Sequence, residues 1–246
     1  HMGSGTPHAE IIAMENAREK YGFQDNFPDG YTAVVTLEPC NHTGKTGPCS
    51  QAILEAGISR VVYASNDPGE NSSGGGKFLK KHGVEVIKGL LKSDADDQAR
   101  HWIVSTKKQR PFVTIKYAST LDGRGAAQDG SSQWISGPES RADAHKRRSE
   151  VDAILVGTGT AIFDDPELTA RKPDGSYYEH QPLRVVVGER KLDKSLKVFN
   201  DRAETLVLPT QSLQEAMTEL WEKGIRHLLV EGGPNVASKF IKQGLA

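Results

Sequence analysis

The sequence predicts an α/β protein built from two units, each with a largely parallel sheet covered by helices. In the first hundred residues, segments typical of strands alternate with segments typical of helices, which favours parallel strands joined by helical crossovers. The same alternation starts again after residues 109–111, where a proline ends a helical segment. With 246 residues, the chain is long enough for two units of ordinary size. We therefore predict one domain over 1–109 and a second over 110–246.

The first unit contains three predicted strands separated by helices. Segment 31–37 is short, rich in β-branched residues and bounded by turn residues, which is typical of a buried strand. Gly83 is a natural helix C-cap, and Ser93 followed by acidic residues marks the start of the last helix. In chain order, the predicted elements are a helix (8–21), a strand (31–37), a helix (49–58), a strand (59–65), a glycine- and serine-rich loop (66–76), a helix (77–83), a strand (84–90) and a helix (93–109).

The second unit repeats the alternation. The turns 157–160 and 231–235 each follow a strand and could bind an anion through backbone N–H groups, although a tight structural turn is the commoner meaning of such segments. In chain order, the predicted elements are a strand (111–119), a helix (136–150), a strand (152–156), a glycine- and threonine-rich loop (157–160), a strand (182–188), a strand (204–209), a helix (212–224), a strand (225–233) and a helix from 234 onward.

Composition and charge exclude several classes of function. The formal net charge is −1, and no basic stripe interleaved with aromatic residues is present, so we expect no nucleic-acid partner. No apolar segment approaches the length of a membrane span, and no signal peptide is visible. The two cysteines are too few for a disulfide framework and favour a reducing compartment. We therefore expect a cytoplasmic protein with a small-molecule substrate and no membrane partner.

Four residues form a candidate metal centre. His8 and Glu10 lie at the start of the first helix, Cys40 follows the first strand, and Cys49 opens the next helix, where the helix dipole favours a thiolate. Two thiolates and one imidazole leave a fourth tetrahedral position open, which is typical of catalytic zinc. Zinc in such a site activates water near neutral pH, and an unligated carboxylate must then move protons to the leaving group. Glu10 is our candidate for that role.

Alternatives exist for parts of this centre. A lone His-x-Glu is usually a surface pair without a function, so the cysteines decide in favour of His8 and Glu10. The segment between the cysteines carries His42 and Lys45, which could hydrogen-bond a polar or anionic substrate. Alternatively, His42 is the metal ligand, or His42 and Lys45 are solvated loop residues.

Seven segments resemble, in order and spacing, those of the bifunctional riboflavin biosynthesis deaminase–reductase family. They are PHAE (7–10), TLEPCNHTGKTGPC (36–49), NDPG (66–69), IKYASTLDGR (115–124), SQWIS (132–136), DDPELTAR (164–171) and VEGGPNVASKFI (230–241). The resemblance implies a cytidine-deaminase-like three-layer α/β/α domain followed by a dihydrofolate-reductase-like α/β domain. Against the family pattern, we expect the first domain to be shortened at its amino end and the second at its carboxyl end.

The resemblance also implies an activity. The first domain would use zinc to deaminate 2,5-diamino-6-ribosylamino-4(3H)-pyrimidinone 5′-phosphate by hydrolysis. The second would use NADPH to reduce the ribosyl group of 5-amino-6-(5-phosphoribosylamino)uracil. The resemblance also implies a homo-oligomer, either a dimer or a tetramer.

Individual residues take roles from the same resemblance. It implies that His8, Cys40 and Cys49 bind zinc and that Glu10 moves protons. The implied substrate-binding residues are His42, Lys45 and Asp67 in the first domain, and Lys116, Ser132, Arg148, Leu168, Arg171 and Glu231 in the second. The implied cofactor-binding residues are Ala118, Trp134, Thr160, Asp164, Gly233, Pro234 and Asn235. Without the resemblance, the cationic residues would be interpreted as solvated surface charges, and Trp134 as part of a core or interface.

Two alternatives compete with a bifunctional enzyme. A deaminase with an inactive reductase half would release ammonia without oxidising NADPH. A zinc-stabilised binding protein would keep both its zinc and its function after Glu10→Gln. The choice between NADPH and NADH also stays open, because this chain has Gly188–Glu189 where the family pattern implies Asp-Ser, and a carboxylate there would repel a 2′-phosphate.

Overall fold

The computed structural model describes residues 7–24, 26–44, 47–128 and 134–246. The chain divides into two compact units, His1–Lys107 (the amino-terminal unit) and Lys108–Ala246 (the carboxyl-terminal unit). In each unit the described strands form one sheet, and all strand pairs are parallel. The prediction of an α/β protein with parallel sheets is confirmed. The predicted division after residue 109 lies two residues from the observed one, and the function assigned to each side stays a prediction.

The amino-terminal unit places helices against a three-stranded sheet. Its elements are α1 (Ala9–Tyr21), β1 (Thr32–Leu37), α2 (Cys49–Glu55), β2 (Arg60–Ser65), α3 (Gly75–Lys81), β3 (Glu85–Lys88), α4 (Lys92–Gln98) and α5 (Arg100–Lys108). The strand order is β1–β2–β3. Ile53, Val61 and Leu79 are fully buried in the core of this unit. The ends of β1 and β2 lie side by side, with Leu37 paired with Ser65, so the loops that follow both strands start together.

Two elements of this unit differ from their predictions. Burial along β1 alternates between exposed and half-buried residues, and Val34 is 70% exposed. The prediction of a buried strand is therefore wrong, because β1 lies at an edge of the described sheet. The predicted helix over 93–109 is two helices, α4 and α5, separated at Ala99. This break agrees with the low helix propensity of the aspartate-rich segment before it.

Two glycines bring α3 close to the loop that carries the cysteines. The helix begins at Gly75, inside the predicted loop 66–76. A Cβ on Gly75 would lie 1.8 Å from the carbonyl oxygen of Pro39, and a Cβ on Gly76 would lie 2.7 Å from the hydroxyl of Tyr63. Since real Cβ atoms do not approach so closely, only glycine permits this packing. The start of α3 therefore supports the backbone next to Cys40.

The carboxyl-terminal unit has a five-stranded sheet in the order β4–β8–β5–β6–β7. Its elements are β4 (Phe112–Ile115), α6 (Pro138–Arg148), β5 (Ala153–Gly157), α7 (Thr158–Asp164), β6 (Leu183–Val187), a 3₁₀ turn (Lys197–Phe199), β7 (Thr205–Leu208), α8 (Leu213–Glu222), β8 (His227–Val230) and α9 (Pro234–Lys242). Every residue of β5 is buried. The prediction of a loop over 157–160 is wrong, because Thr158–Thr160 form the first turn of α7.

The order of these strands creates a place for a ligand. β5, β6 and β7 follow one another outward, whereas β8 returns to the other side of β5. The chain direction across the sheet therefore reverses between β5 and β8. Open parallel sheets bind ligands outside the carboxyl ends of their strands at such a reversal. No helix in the described ranges is both long and apolar enough to cross a membrane.

Candidate metal centre and cofactor cavity

Three predicted ligands converge in the amino-terminal unit. His8 directly precedes α1, Cys40 lies in the loop after β1, and Cys49 is the first residue of α2. The Nδ1 atom of His8 lies 3.1 Å from the Cys49 sulfur and 3.5 Å from the Cys40 sulfur. All three donor atoms lie within 4.8 Å of one another. The fold thus assembles one cluster from three separate segments.

Hydrogen bonds hold the cysteine-bearing loop against the start of α2. The Cys49 N–H donates to the Cys40 sulfur over 3.3 Å, and the Ser50 N–H donates to the Cys40 carbonyl oxygen over 3.1 Å. The Ser50 hydroxyl donates to Oδ1 of Asn41 over 2.8 Å. Both cysteines are buried. These bonds fix the position of the Cys40 sulfur relative to that of Cys49.

The two thiols differ in acidity because they share a hydrogen bond. The pKa of Cys40 is lowered to about 5, mainly by the bond from the Cys49 thiol and also by the Cys49 N–H and the His8 ring, against the effect of burial. The same bond raises the pKa of Cys49, as do burial and the charge of Glu10. One thiolate therefore exists at neutral pH. Binding of a metal to both sulfurs must release the remaining proton.

Glu10 lies beside this cluster. It is in the first turn of α1, two residues after His8, and its charge contributes to the raised pKa of Cys49. The predicted proton shuttle therefore lies near the predicted ligands. Glu10 is also only half-buried, which leaves its carboxylate accessible to water.

The three donors fit zinc. A nitrogen and a sulfur bound to one tetrahedral zinc lie roughly 3.5 Å apart, given typical Zn–N and Zn–S bond lengths. The observed nitrogen–sulfur separations of 3.1 and 3.5 Å are close to this value. Three protein ligands leave one tetrahedral position for a reacting molecule. Within the described parts of the chain, no second cluster of histidine, cysteine and carboxylate groups has this spacing.

Glu38 also belongs to this site, although it was not among the predicted residues. Its buried carboxylate accepts the N–H of Asp67 over 3.3 Å and the N–H of Gly76 over 3.0 Å. It thereby ties the loop after β2 and the start of α3 to the end of β1. The one feature of the sequence that could have pointed to Glu38 is its position directly before Pro39–Cys40. Its role is visible only when the two strand ends are placed side by side.

The predicted substrate residues of this unit have different surroundings. Asp67 is buried, and its Oδ1 accepts the N–H of Gly69 over 2.8 Å, within its own turn. His42 is half-buried, and its Nδ1 has no hydrogen-bond partner among the described residues. The donor cluster uses His8 rather than His42. Lys45 lies outside the described residues.

A cavity of about 710 Å³ opens at the carboxyl edge of the second sheet. Its walls are formed by the turns after β5, β6 and β8 and by residues of α7 and α9. Its volume is typical of small-molecule and cofactor sites. The Gly233 N–H donates to the Thr160 hydroxyl over 3.2 Å and joins two of these walls. Five predicted cofactor residues line the cavity: Thr160, Asp164, Gly233, Pro234 and Asn235.

The cavity also has residues that we did not predict as cofactor contacts. Glu189, Arg190, Gln211 and Lys239 line it. They follow strands or lie on a helix without forming a local motif, so only the sheet order brings them together. Two predicted cofactor residues, Ala118 and Trp134, are not among its lining residues. Trp134 is 71% exposed, and the guanidinium of Arg141 lies 4.4 Å from the centre of its ring.

Glu231 organises a cluster of charges after β8. Arg148 donates through Nε and Nη2 to the two carboxylate oxygens of Glu231, each over 2.8 Å, and through Nη1 to the carbonyl oxygen of Thr169. Nζ of Lys116 lies 3.6 Å from the same carboxylate. Burial raises the pKa of Glu231, but the hydrogen bonds and charge of Arg148 outweigh it, so the pKa lies below its usual range.

This cluster bears on the predicted substrate residues of the second unit. Lys116, Arg148 and Glu231 are brought together, whereas Arg171 lies 3.4 Å from Glu167 instead. Leu168 is buried in the core with a positive φ of 55°. Ser132 lies outside the described residues. Direct contact of these residues with a substrate stays a prediction.

Comparison with known proteins identifies the family. The family model described as the RibD C-terminal domain matches residues 111–246, and that of the cytidine and deoxycytidylate deaminase zinc-binding region matches residues 1–65. The riboflavin biosynthesis protein RibD of Corynebacterium ammoniagenes is 44% identical over 98% of this chain and 69% of its own length. The chain belongs to the RibD family. RibD of Mycobacterium tuberculosis is also 44% identical, over 98% of this chain and 69% of its own length.

Solved RibD structures have the same fold. A diaminohydroxyphosphoribosylaminopyrimidine deaminase/5-amino-6-(5-phosphoribosylamino)uracil reductase from Thermotoga maritima superposes with a TM-score of 0.84 at 36% identity, over 97% of this chain and 71% of that one. Acinetobacter baumannii RibD superposes with a TM-score of 0.88 at 33% identity, over 100% of this chain and 72% of that one. The predicted order, a cytidine-deaminase-like domain followed by a reductase domain, is confirmed, and the reductase half matches the RibD C-terminal domain. The chain is thus a riboflavin biosynthesis protein with a deaminase half and a reductase half.

Proposed function

We propose that the chain catalyses two consecutive steps of riboflavin biosynthesis. The amino-terminal unit removes an amino group from 2,5-diamino-6-ribosylamino-4(3H)-pyrimidinone 5′-phosphate by hydrolysis. The carboxyl-terminal unit then reduces the ribosyl group of 5-amino-6-(5-phosphoribosylamino)uracil with NADPH. The observation that carries this proposal is the cluster of one imidazole and two thiols that fits zinc, with Glu10 two residues after His8 at the start of α1.

In the first step, His8, Cys40 and Cys49 would hold zinc, which supplies a Lewis acid that activates water near neutral pH. In this scheme the Glu10 carboxylate is not a metal ligand and acts as the base. It takes a proton from the attacking water and delivers it to the departing amino group. His42 supports substrate binding in this scheme, because its buried Nδ1 has no partner among the described residues.

In the second step, the cavity at the carboxyl edge of the sheet would hold the dinucleotide. Thr160, Gly233 and Asn235 line it at the turns after β5 and β8, where backbone N–H groups suit a pyrophosphate. NADPH supplies the hydride for the reduction. Glu231 and Lys116 adjoin this region through the shared edge of β8 and β4, and we propose that they orient the ribosyl chain.

The test of the proposed function is Glu10→Gln. Removing the base while keeping the metal ligands lowers ammonia release by about 10²- to 10⁴-fold, with zinc content unchanged. Ammonia release and zinc content are measured on the same preparation, and NADPH oxidation is measured with the deaminated pyrimidine supplied. Full ammonia release by the variant contradicts the role of Glu10. Absence of NADPH oxidation in the unmodified protein favours the alternative of an inactive reductase half.

Two coarser expectations also stay proposals. We propose a homo-oligomer, tested by light scattering of the purified chain. We propose a cytoplasmic location, tested by fractionation of cells that express the chain.

A further inference from the structure

An acidic and a basic side chain face the same cavity just after β6. Glu189 and Arg190 both line it. Oε2 of Glu189 accepts a hydrogen bond from Nε2 of Gln211 over 2.7 Å. Within the described parts of the chain, Glu189 forms no ion pair, so a neutral amide and not Arg190 holds its carboxylate. The wall therefore presents one negative charge and one positive charge side by side.

The geometry of the sheet places this pair next to the turn after β5. β6 is the neighbour of β5, and Gly157 pairs with Val187 at their carboxyl ends. Gly188 follows with a φ of 130°, and a Cβ on it would lie 2.7 Å from the Thr158 hydroxyl. Glycine at this position lets the two turns touch. Nη1 of Arg190 accordingly comes within 3.8 Å of the point where a Cβ on Gly159 would lie.

The doubly wound dinucleotide-binding fold, which is also an open parallel sheet, offers a precedent for this arrangement. There, the turn after one strand binds the pyrophosphate and a residue further along the chain faces the adenosine ribose. An acid there hydrogen-bonds the 2′-hydroxyl of NADH, and an arginine accommodates the 2′-phosphate of NADPH. This chain has both residue types, in consecutive positions.

We propose that Glu189 and Arg190 together set the choice between the 2′-hydroxyl and the 2′-phosphate, and that the cavity accepts both NADH and NADPH. Glu189, held by Gln211, binds a 2′-hydroxyl and repels a 2′-phosphate. Arg190 offsets that repulsion. The proposal rests on the dinucleotide site proposed above and adds to it the residues that determine cofactor specificity.

The test measures binding of two nucleotides that lack the nicotinamide: adenosine 2′,5′-bisphosphate and 5′-AMP. Titration calorimetry on the full chain gives the affinity ratio of the two. The unmodified chain binds both within about tenfold. Glu189→Gln raises the relative affinity for the bisphosphate about tenfold, and Arg190→Gln lowers it about tenfold, as expected for one charged contact. Both side chains are exposed, so both variants should fold, which circular dichroism checks.

A matched control separates a local contact from the general effect of charge. Glu204→Gln removes the same charge from an exposed acid before β7, at the opposite edge of the sheet, and should leave the ratio unchanged. An unchanged ratio in Glu189→Gln, with both nucleotides bound, overturns the specificity proposal and leaves the cofactor site intact. A preference of the unmodified chain above about 100-fold also overturns it. Failure of both nucleotides to bind overturns the dinucleotide site itself.

Discussion

In the amino-terminal unit, the candidate metal centre consists of three side-chain donors within 4.8 Å of one another. In the carboxyl-terminal unit, the candidate cofactor site is a cavity of about 710 Å³ between the turns after β5, β6 and β8 and residues of α7 and α9. The first site depends on the chemical identity of a few atoms, so one substitution removes it. The second depends on the order of strands and on backbone approach, so it tolerates many side-chain changes and fails when the fold around it is disturbed.

The largest expected effect comes from Cys49→Ser. The change removes one of three ligands. Loss of a residue that only hydrogen-bonds a ligand weakens metal binding by up to about 100-fold, so loss of the ligand itself should weaken zinc binding by at least that factor. Zinc content after dialysis and ammonia release both fall. NADPH binding, measured by fluorescence, should change by no more than a factor of about two, because the cofactor cavity belongs to the other unit and shares no described residue with the metal centre. A parallel loss of NADPH binding would show that the two sites are not independent.

Arg148→Met tests a side-chain pair in the unit whose site is otherwise made of backbone. The change removes the hydrogen-bonded partner of the buried Glu231 carboxylate and leaves Lys116, 3.6 Å away, as its ion-pair partner, and it should destabilise this unit by about 3–5 kcal/mol. Denaturant unfolding monitors the loss. The double variant Arg148→Met, Glu231→Gln should recover part of it, because no unpaired charge is then buried. Equal stability of the single variant and the unmodified chain would mean that the pair contributes nothing.

Gly75→Ala tests the close approach of the α3 backbone to the cysteine-bearing loop. This approach supports a site that otherwise consists of side chains. Its Cβ would lie 1.8 Å from the Pro39 carbonyl oxygen, so α3 must move away, at a cost of about 1–3 kcal/mol and with weaker zinc binding. Gly47→Ala is the matched control in the cysteine-bearing loop, since nothing lies within 4 Å of its added methyl group. Thermal unfolding and zinc titration compare the two variants. Similar behaviour of both would remove the steric argument.

The smallest effect is a pH dependence of the carboxyl-terminal unit. Burial and the charges of Arg148 and Arg171 lower the pKa of His145, and the pKa of Glu231 is also lowered. Both groups therefore stabilise the fold above their ordinary pKa values of about 6.5 and 4.5, and the stability is lost as the pH falls below each. The melting temperature should decrease in both ranges. Glu231→Gln should flatten the lower range, and an unchanged slope there would contradict this assignment.

The accuracy of the sequence-based predictions follows the same contrast. The cluster of His8, Cys40 and Cys49 was proposed as a metal centre from residue type alone, because few residues bind zinc and their spacing is restrictive. The parallel sheets were predicted from the alternation of strands and helices, and this alternation is readable because apolar periodicity is a local property of the sequence. Predictions failed where neighbours decide the outcome. The exposure of Val34 depends on β1 being at an edge, and the first turn of α7 takes up residues that resembled a loop.

The amino-acid sequence by itself determined the class of fold and the identity of the donor atoms, because both depend on residue type and short-range spacing. Only the tertiary structure decided that Glu38 ties two loops together and that Arg148 is engaged by Glu231. It alone placed Arg190 and Gln211 in the same cavity as Gly233. Such contacts join residues far apart in the chain, and they exist only after the strands have taken their order in the sheet.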